Sequence, residues 1–329
     1  MSANLLSVAL PVKNGENFLA AALDSILAQT YTDFTLHVSD NASDDGTADI
    51  LANYAARDPR VRVSRSEVPL SQVDNTNRAI GLTETQWVKL FCHDDLMRAD
   101  CLALLAEAIT RLGGTKVALI GNAEQHLFST GYLSEAEPEG SLEIIDGRQA
   151  LRQRFSRAAA TGRGVPSITT ATVRKDAFTA QGGFDGRYVY FEIFRWYLML
   201  VEWDYAYLPM PLTVNRIHGR QVASLARASL RQAADYRLFV SEFLSQRADT
   251  VELDSRARRF ARLLAPGRAA SEIACEVRAG RTRRAFQMLR QVQPAWLPLT
   301  VAFTVRAWIA EGRRTAPLRG KVPDALIYP

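Results

Sequence analysis

A chain of 329 residues, 47% hydrophobic and 23% charged, has enough apolar side chains for one large folded unit, or a medium one with a helical appendix. This composition excludes a disordered polymer, a collagen-like repeat and a disulfide scaffold. The net charge of +5 hides a tail of about +10 from Ala226 onward and a remainder of about −5, so a uniformly basic nucleic-acid surface is excluded too.

In chain order, Leu5–Val12 reads as a buried strand ended by Asn14-Gly15, after which Phe18, Leu19, Leu23, Ile26 and Leu27 recur at helical spacing. Phe34–Ser39 predicts a second strand and Thr47–Arg57 a second helix. Val61–Ser64 predicts a third strand, Asn75–Leu82 a helical turn or two, and Trp87–Cys92 a fourth strand. Residues 99–112 predict a helix stopped by Gly113-Gly114, followed by a strand at Val117–Ile120. Polar and Gly-rich stretches from about 125 to 165 predict a mobile loop or insertion. Ser167–Val173 and Tyr205–Leu208 read as strands, with the helix Glu192–Glu202 between them. After Ser224 the chain turns Ala/Arg/Leu-rich and helical, which predicts a boundary near residue 225 and two parts, 1–224 and 225–329. Strand and helix alternating at this spacing predict an α/β fold with a mostly parallel sheet covered by helices.

Ligands of such sheets bind at the carboxyl ends of the strands, where two acidic clusters fall: Asp40 with Asp44 and Asp45, and Asp94 with Asp95. The run Asp40-Asn41-Ala42-Ser43-Asp44-Asp45-Gly46-Thr47 can accept hydrogen bonds from a nucleobase or ribose, with Gly46 permitting a tight turn. The same run also suits an Asx turn and helix cap through Ser43 and Asp45. His93-Asp94-Asp95 places adjacent carboxylates that call for a cation or donor, a divalent ion with substrate phosphates being one solution and a helix cap at Asp95 another. Arg216 and His218 can both reach a diphosphate. Gly182-Gly183-Phe184-Asp185, followed by Glu192 at the start of an apolar helix, offers a carboxylate for general-base work, or simply a favourable first-turn acid.

In this order and spacing the four features resemble the family 2 glycosyltransferases, over roughly residues 5–222. SVALPVKNGENFLAAALDSILAQTYTDFTLHVSDNASDDGT is similar to that family's nucleotide-binding half, LFCHDDLM to its DXD segment, GGFD to its acceptor-side loop and RIH to its late diphosphate-contacting motif. The resemblance implies a GT-A-type nucleotide-binding fold and an inverting transfer from a nucleotide-diphosphate sugar, UDP-linked first among them, to a hydroxyl acceptor. It implies that Pro11 and Val12 line the nucleotide pocket and Asp40 contacts the base. Asp94, with His218, would hold Mg2+ or Mn2+ on the diphosphate, Asp95 would shape the sugar site, and Arg216 with His218 would steady the leaving group. Two positions depart from the family pattern: Cys92 replaces the first acid of DXD, and Ile193 replaces the Asp of a usual Glu-Asp pair, which leaves Glu192 as the base. A sugar-nucleotide-binding protein of the same fold with impaired turnover is the alternative those departures raise.

The tail, with about 19 Arg and Lys against about 9 Asp and Glu, mixes arginines with Val277, Phe286 and Leu289 over Arg278–Leu289, and aromatic residues over Trp296–Trp308. Such helices suit either an anionic membrane surface, and with it a saccharide or lipid-linked acceptor, or a plain helical cap. Cys92, Cys101 and Cys275 form neither a CxxC pair nor a plausible metal cluster. With no signal-peptide pattern and no apolar run long enough to span a bilayer, the expected location is the cytosol, at most peripheral to a membrane. No GxGxxG follows the first strand and no Gly-rich phosphate loop with a following Lys is present, which sets aside dinucleotide and nucleotidyl chemistry.

Overall fold

The apolar runs Leu6–Val12 (β1), Phe34–Asp40 (β2), Val61–Arg65 (β3) and Trp87–Leu90 (β4) lie parallel in the order β3-β2-β1-β4. Helices Leu19–Leu27 (α1), Thr47–Arg57 (α2) and Gln72–Gly81 (α3) make the crossovers. β1 and β2 are buried almost throughout, as strands covered on both faces must be, and that is why they read as unbroken apolar runs. The computed structural model describes residues 5–136, 139–155, 165–218, 230–278, 280–292, 294, 297–298 and 300–301.

Beyond β4 come Leu96–Met97 (β5), Cys101–Arg111 (α4), Val117–Phe128 (β6), Glu143–Ile145 (β7), Gly147–Arg154 (α5), Ala171–Arg174 (β8), Lys175–Ala180 (α6), Phe191–Met199 (α7) and Asp204–Ile217 (β9). The sheet continues from β4 as β8-β6-β9-β5, with β7 also on β9. β1, β2, β3, β4, β6 and β9 share one direction, while β5, β7 and β8 run against it. The sheet is thus mostly parallel, as the alternation of elements predicts.

Four stretches differ from the sequence expectations, one being β9, which runs on to Ile217 beyond the expected Tyr205–Leu208. β6 runs on to Phe128 rather than ending at Ile120, because register shifts around Asn122–Glu124 let it keep pairing with β9 despite polar side chains. The 125–165 stretch, expected as loop, also contains β7 and α5, the latter capped by Asp146 accepting from Gln149 N. Ser167–Thr170, expected as strand, is not part of β8, which begins at Ala171.

Alternation along β1 sends Leu6, Val8 and Leu10 to one core with α1 and α4, and Ala9 to a second core on the opposite face. That second core holds Phe194, Trp196 and Tyr197 of α7. It also takes Tyr236, Phe239, Val240 and Phe243 from Arg231–Gln246 (α8). Helices Ser255–Arg262 (α9), Leu264–Arg278 (α10) and Thr282–Gln291 (α11) follow. A third cluster joins Ala233, Ile273 and Met288 of the last helices. The expected boundary near residue 225 lies outside the described residues, as do Trp296, Leu299, Phe303 and Trp308. Among the described residues no helix is long and apolar enough to cross a membrane.

Candidate active site

Val12 and Asp40 end neighbouring parallel strands, paired in register, so the loops after β1 and β2 rise side by side. Those loops are stitched together. Asn14, at φ 53°, donates from its backbone to Ser43 Oγ (2.9 Å) and from Nδ2 to Asp44 Oδ1 (2.7 Å). Gly15 N donates to Thr47 Oγ1 (2.8 Å), Glu16 N to Asp45 Oδ2 (3.2 Å), and Gly46 N to Glu16 Oε2 (2.9 Å). Asp40 is buried, with Oδ1 accepting from Ser43 N (3.1 Å) and Oδ2 from Arg65 Nη1 (2.8 Å). The expected Asx turn is present at Asp45, whose Oδ1 accepts from Thr47 N (3.0 Å), but the expected side-chain cap is not: Gly46 holds the N-cap position of α2, and the turn instead shapes the cradle that Pro11, Val12 and Asp40 border. Gly46 has an ordinary φ of −66°, so the tight turn does not require it. Its lack of a side chain makes room for Glu16, whose carboxylate a Cβ there would approach to 3.3 Å.

The second acidic cluster follows β4. Asp95 does not cap a helix; α4 begins at Cys101 behind Asp100. Asp95 is buried and turned inward, accepting from Arg216 N (3.0 Å) and from the Thr169 hydroxyl. Burial, and then the charge of Asp94, raise its carboxyl above the usual range. Asp94 stays more open, its Oδ2 lying 3.0 Å from His218 Nε2. The antiparallel β5–β9 ladder, with Leu96 opposite Val214, brings these acids against Arg216 and His218. The His218 ring stacks on Phe18 (centroids 4.7 Å apart), and the Arg216 guanidinium carbon lies 5.4 Å from that ring's centre. Phe18 was legible only as an apolar position beside a helix; its platform role depends on contacts some 200 residues away in the chain, across the fold.

Beneath Asp95, the fully buried Lys89 donates to Asn122 Oδ1 (3.1 Å) and Thr169 O (2.6 Å), and burial lowers its pKa to about 8. Asn122 in turn donates to Thr213 Oγ1 (3.1 Å). Lys89 and Thr169 thus fix the floor of the site. The turn at 168–170, where the sequence predicts the start of a strand, is what aims Thr169 at Asp95. On the other wall, Gly182 and Gly183 adopt left-handed φ of 83° and 69°. Asn77 of α3 pairs with both backbone groups of Phe184, accepting its N–H (2.9 Å) and donating to its oxygen (3.0 Å). Glu192 sits in the first turn of α7. Burial raises its pKa to about 7. It lies close enough to Cys92 for its charge to help keep that thiol protonated. Ile193 packs against the second core instead, so the two neighbouring positions face different surroundings.

Cys92, Asp94 and Asp95 bring their ligand atoms within 4.8 Å of one another. This corrects the expectation that no cysteine joins a metal-capable cluster; the group pairs one thiol with two carboxylates and has no CxxC pattern to reveal it. Burial and then the two carboxylates push the Cys92 thiol well up, and a protonated thiol is a poor ligand for a hard divalent ion. Asp94 and His218 fit such an ion better. Adjacent ligands on an octahedral ion at about 2.1 Å stand about 3.0 Å apart, and Oδ2 and Nε2 have that separation here.

A mostly parallel sheet, a stitched cradle at the ends of β1 and β2, and an acid–histidine–arginine group at the ends of β4 and β9 together define the GT-A glycosyltransferase fold. Residues 7–133 match the family described as glycosyl transferase family 2, and this part of the chain is accordingly of the family 2 glycosyltransferase type. A PGL/p-HBAD biosynthesis glycosyltransferase of Mycobacterium tuberculosis is 34% identical over 110 residues, 33% of this chain and 43% of that protein. Two solved structures share the fold across nearly the whole chain. A mannosyltransferase from Pyrobaculum calidifontis, in complex with GDP-Man and Mn2+, is 17% identical over 94% of this chain and 88% of that one, with a TM-score of 0.58. Residues 1–349 of TarS from S. aureus, in complex with UDP-GlcNAc, are 15% identical over 97% of this chain and 95% of that one, with a TM-score of 0.60. The chain spans about half or less of the length of the curated relatives it matches.

Proposed function

We propose that this protein transfers a sugar from a nucleotide-diphosphate sugar, a UDP-sugar being the first candidate, to a hydroxyl acceptor with inversion. The observation that carries the reading is the convergence of Asp94, His218 and Arg216 around Phe18, facing the cradle of Pro11, Val12 and Asp40. In the proposed step, the acceptor oxygen bonds to the anomeric carbon while the bond from that carbon to the diphosphate oxygen breaks. Glu192 takes the acceptor's proton, and the departing diphosphate keeps the electron pair. Arg216 and His218 stabilise that growing negative charge, which in a site of this kind is the largest single contribution. Mg2+ or Mn2+ held by Asp94 and His218 would supply further positive charge at the diphosphate. Asp95, its oxygens bound to Thr169 and Arg216, shapes the sugar site from behind.

A saccharide or lipid-linked saccharide acceptor, and a place in bacterial surface polysaccharide or glycolipid assembly on the cytoplasmic side, are part of the same proposal. The exposed Phe286 and Arg283 on α11 support a peripheral membrane contact. Arg281 and Arg284 contribute less, since both turn toward Glu276.

The test is a thermal-shift series with nucleotides and sugar nucleotides, with and without Mn2+, on wild type and Asp94→Ala. Stabilisation by one nucleoside diphosphate, dependent on metal and lost in Asp94→Ala, is expected. No shift with any nucleotide would sink the proposal. Binding without release of diphosphate in the presence of acceptors would favour the impaired, binding-only alternative that Cys92 and Ile193 raise.

A further inference from the structure

Tyr190, at the N-cap position of α7, makes no side-chain cap bond, and within the first turn the Glu192 carboxylate bonds its own backbone. The open N–H groups of a helix start must find partners elsewhere. At Val189 and the N-cap Tyr190, where the chain enters the helix, the partner comes from α8. Val189 N donates to Asp235 Oδ2 at 2.7 Å, and the Tyr190 backbone bonds the same carboxylate. Asp235 is only 3% exposed. Its other oxygen accepts from Arg231 Nε at 3.1 Å, and Arg231 Nη2 reaches across to Arg187 O at 3.1 Å. Two side chains of α8 therefore hold the backbone of Arg187–Tyr190, the segment leading into Glu192. The carboxylate also places negative charge at the positive end of the α7 dipole.

We propose that Asp235, oriented by Arg231, is a positioning residue for Glu192: it fixes the first turn of α7 and so sets where the base carboxylate stands relative to the acceptor hydroxyl. The proposal rests on Glu192 being the base. Further along α7, Phe194 stacks on Phe239 at 4.5 Å and Trp196 is fully buried with Nε1 bonded to Pro166 O, so the helix body is anchored independently of the cap. Loss of the cap frees chiefly the first turn, where Glu192 lies. That makes the expected defect one of transfer rather than of donor binding.

The test compares wild type with Asp235→Ala, Asp235→Asn and Arg231→Met. Two quantities are read: kcat and donor KM for sugar transfer, and hydrogen exchange at the amides of Val189–Ile193. Asp235→Ala should lower kcat by about tenfold or more, since a misplacement near 1 Å costs up to about a hundredfold, with donor KM nearly unchanged. Asp235→Asn keeps an acceptor oxygen and should recover most of the rate, while exchange quickens at Val189–Ile193 in the Ala variant alone. Arg231→Met should shift kcat in the same direction by less, and it carries the comparison if Asp235→Ala fails to fold. Unchanged kcat, an equal loss of donor affinity, or no recovery in Asp235→Asn would overturn the proposal. If wild type transfers no sugar, the Glu192 reading itself fails. The exchange measurement then stands alone, and unchanged protection in Asp235→Ala overturns the clamp.

Discussion

Glu192 combines two properties that pull against each other. Its surroundings raise its pKa to about 7, which suits a base working near neutral pH, but they also penalise its ionised form in the folded state. Between the ordinary glutamate value of 4.5 and about 7, the folded protein binds a proton that the unfolded chain has released. Stability contributed by this group is therefore present below 4.5 and lost as pH rises through about 7. Transfer should run the opposite way, with kcat rising as pH passes through about 7 and Glu192 loses its proton. Glu192→Gln should abolish that limb and lower kcat by about a hundredfold or more, the usual worth of a positioned base. The same variant should be more stable than wild type at pH 8 by about 1–3 kcal/mol, a figure reduced because the side chain keeps some exposure, and should show little difference at pH 4. Urea unfolding at the two pH values, beside a pH–rate profile, checks both halves. A Gln variant with an intact neutral limb would remove Glu192 from the reaction.

At the level of elements, the wall formed by Gly182–Phe184 depends on α3 gripping the turn before Phe184. Gly182 and Gly183 both have positive φ, but they differ in space: a Cβ on Gly182 meets nothing within 4 Å, whereas one on Gly183 comes within 2.9 Å of Asn77 Oδ1. Gly182→Ala should therefore cost about 1 kcal/mol of backbone strain, and Gly183→Ala about 2–3 kcal/mol because it also presses on the Asn77 pairing. Denaturant titrations of the two variants give the difference directly, and equal costs would show that Asn77 yields freely. These glycines, and strands such as β1 and β2, could be read from the chain because their signals are local: φ-permissive residues, or apolar runs buried on both faces. Asp94, His218 and Arg216 were legible as types at the right strand ends, but not their 3.0 Å meeting, which depends on the short β5–β9 ladder. Thr169, Lys89 and Phe18 were not legible as site residues at all. Each acts through a partner distant in sequence, and each looks ordinary in its own segment.

Across the whole molecule, the basic region after residue 225 reads in the sequence as a change of composition, while in the structure α8, the first helix among its described residues, completes a core. Tyr236, Phe239, Val240 and Phe243 are buried against Tyr188, Phe194 and Tyr197, and Arg154 donates to the hydroxyls of both Tyr197 (2.5 Å) and Tyr236 (3.3 Å). Periodicity could not show this, because an amphipathic helix looks the same whether it caps its own subdomain or its neighbour's core. Burying such a side chain contributes about 1.5–3 kcal/mol, so removing four together is comparable to the whole net stability of a domain, about 5–15 kcal/mol. A chain ended at residue 225 should therefore lose cooperative thermal unfolding and the near-ultraviolet dichroism of its packed aromatic rings, even though the cradle of Pro11, Val12 and Asp40 lies wholly before that point. A truncated protein that melts cooperatively and keeps a nucleotide-induced shift would show that the cradle folds without its helical partner. For the same reason, membrane contact is better tested in the full chain. Phe286→Ser together with Arg283→Ser alters exposed side chains of α11 and should leave the melt unchanged while reducing co-sedimentation with vesicles rich in anionic lipid. Equal sedimentation of the variant and wild type would assign α11 to packing alone.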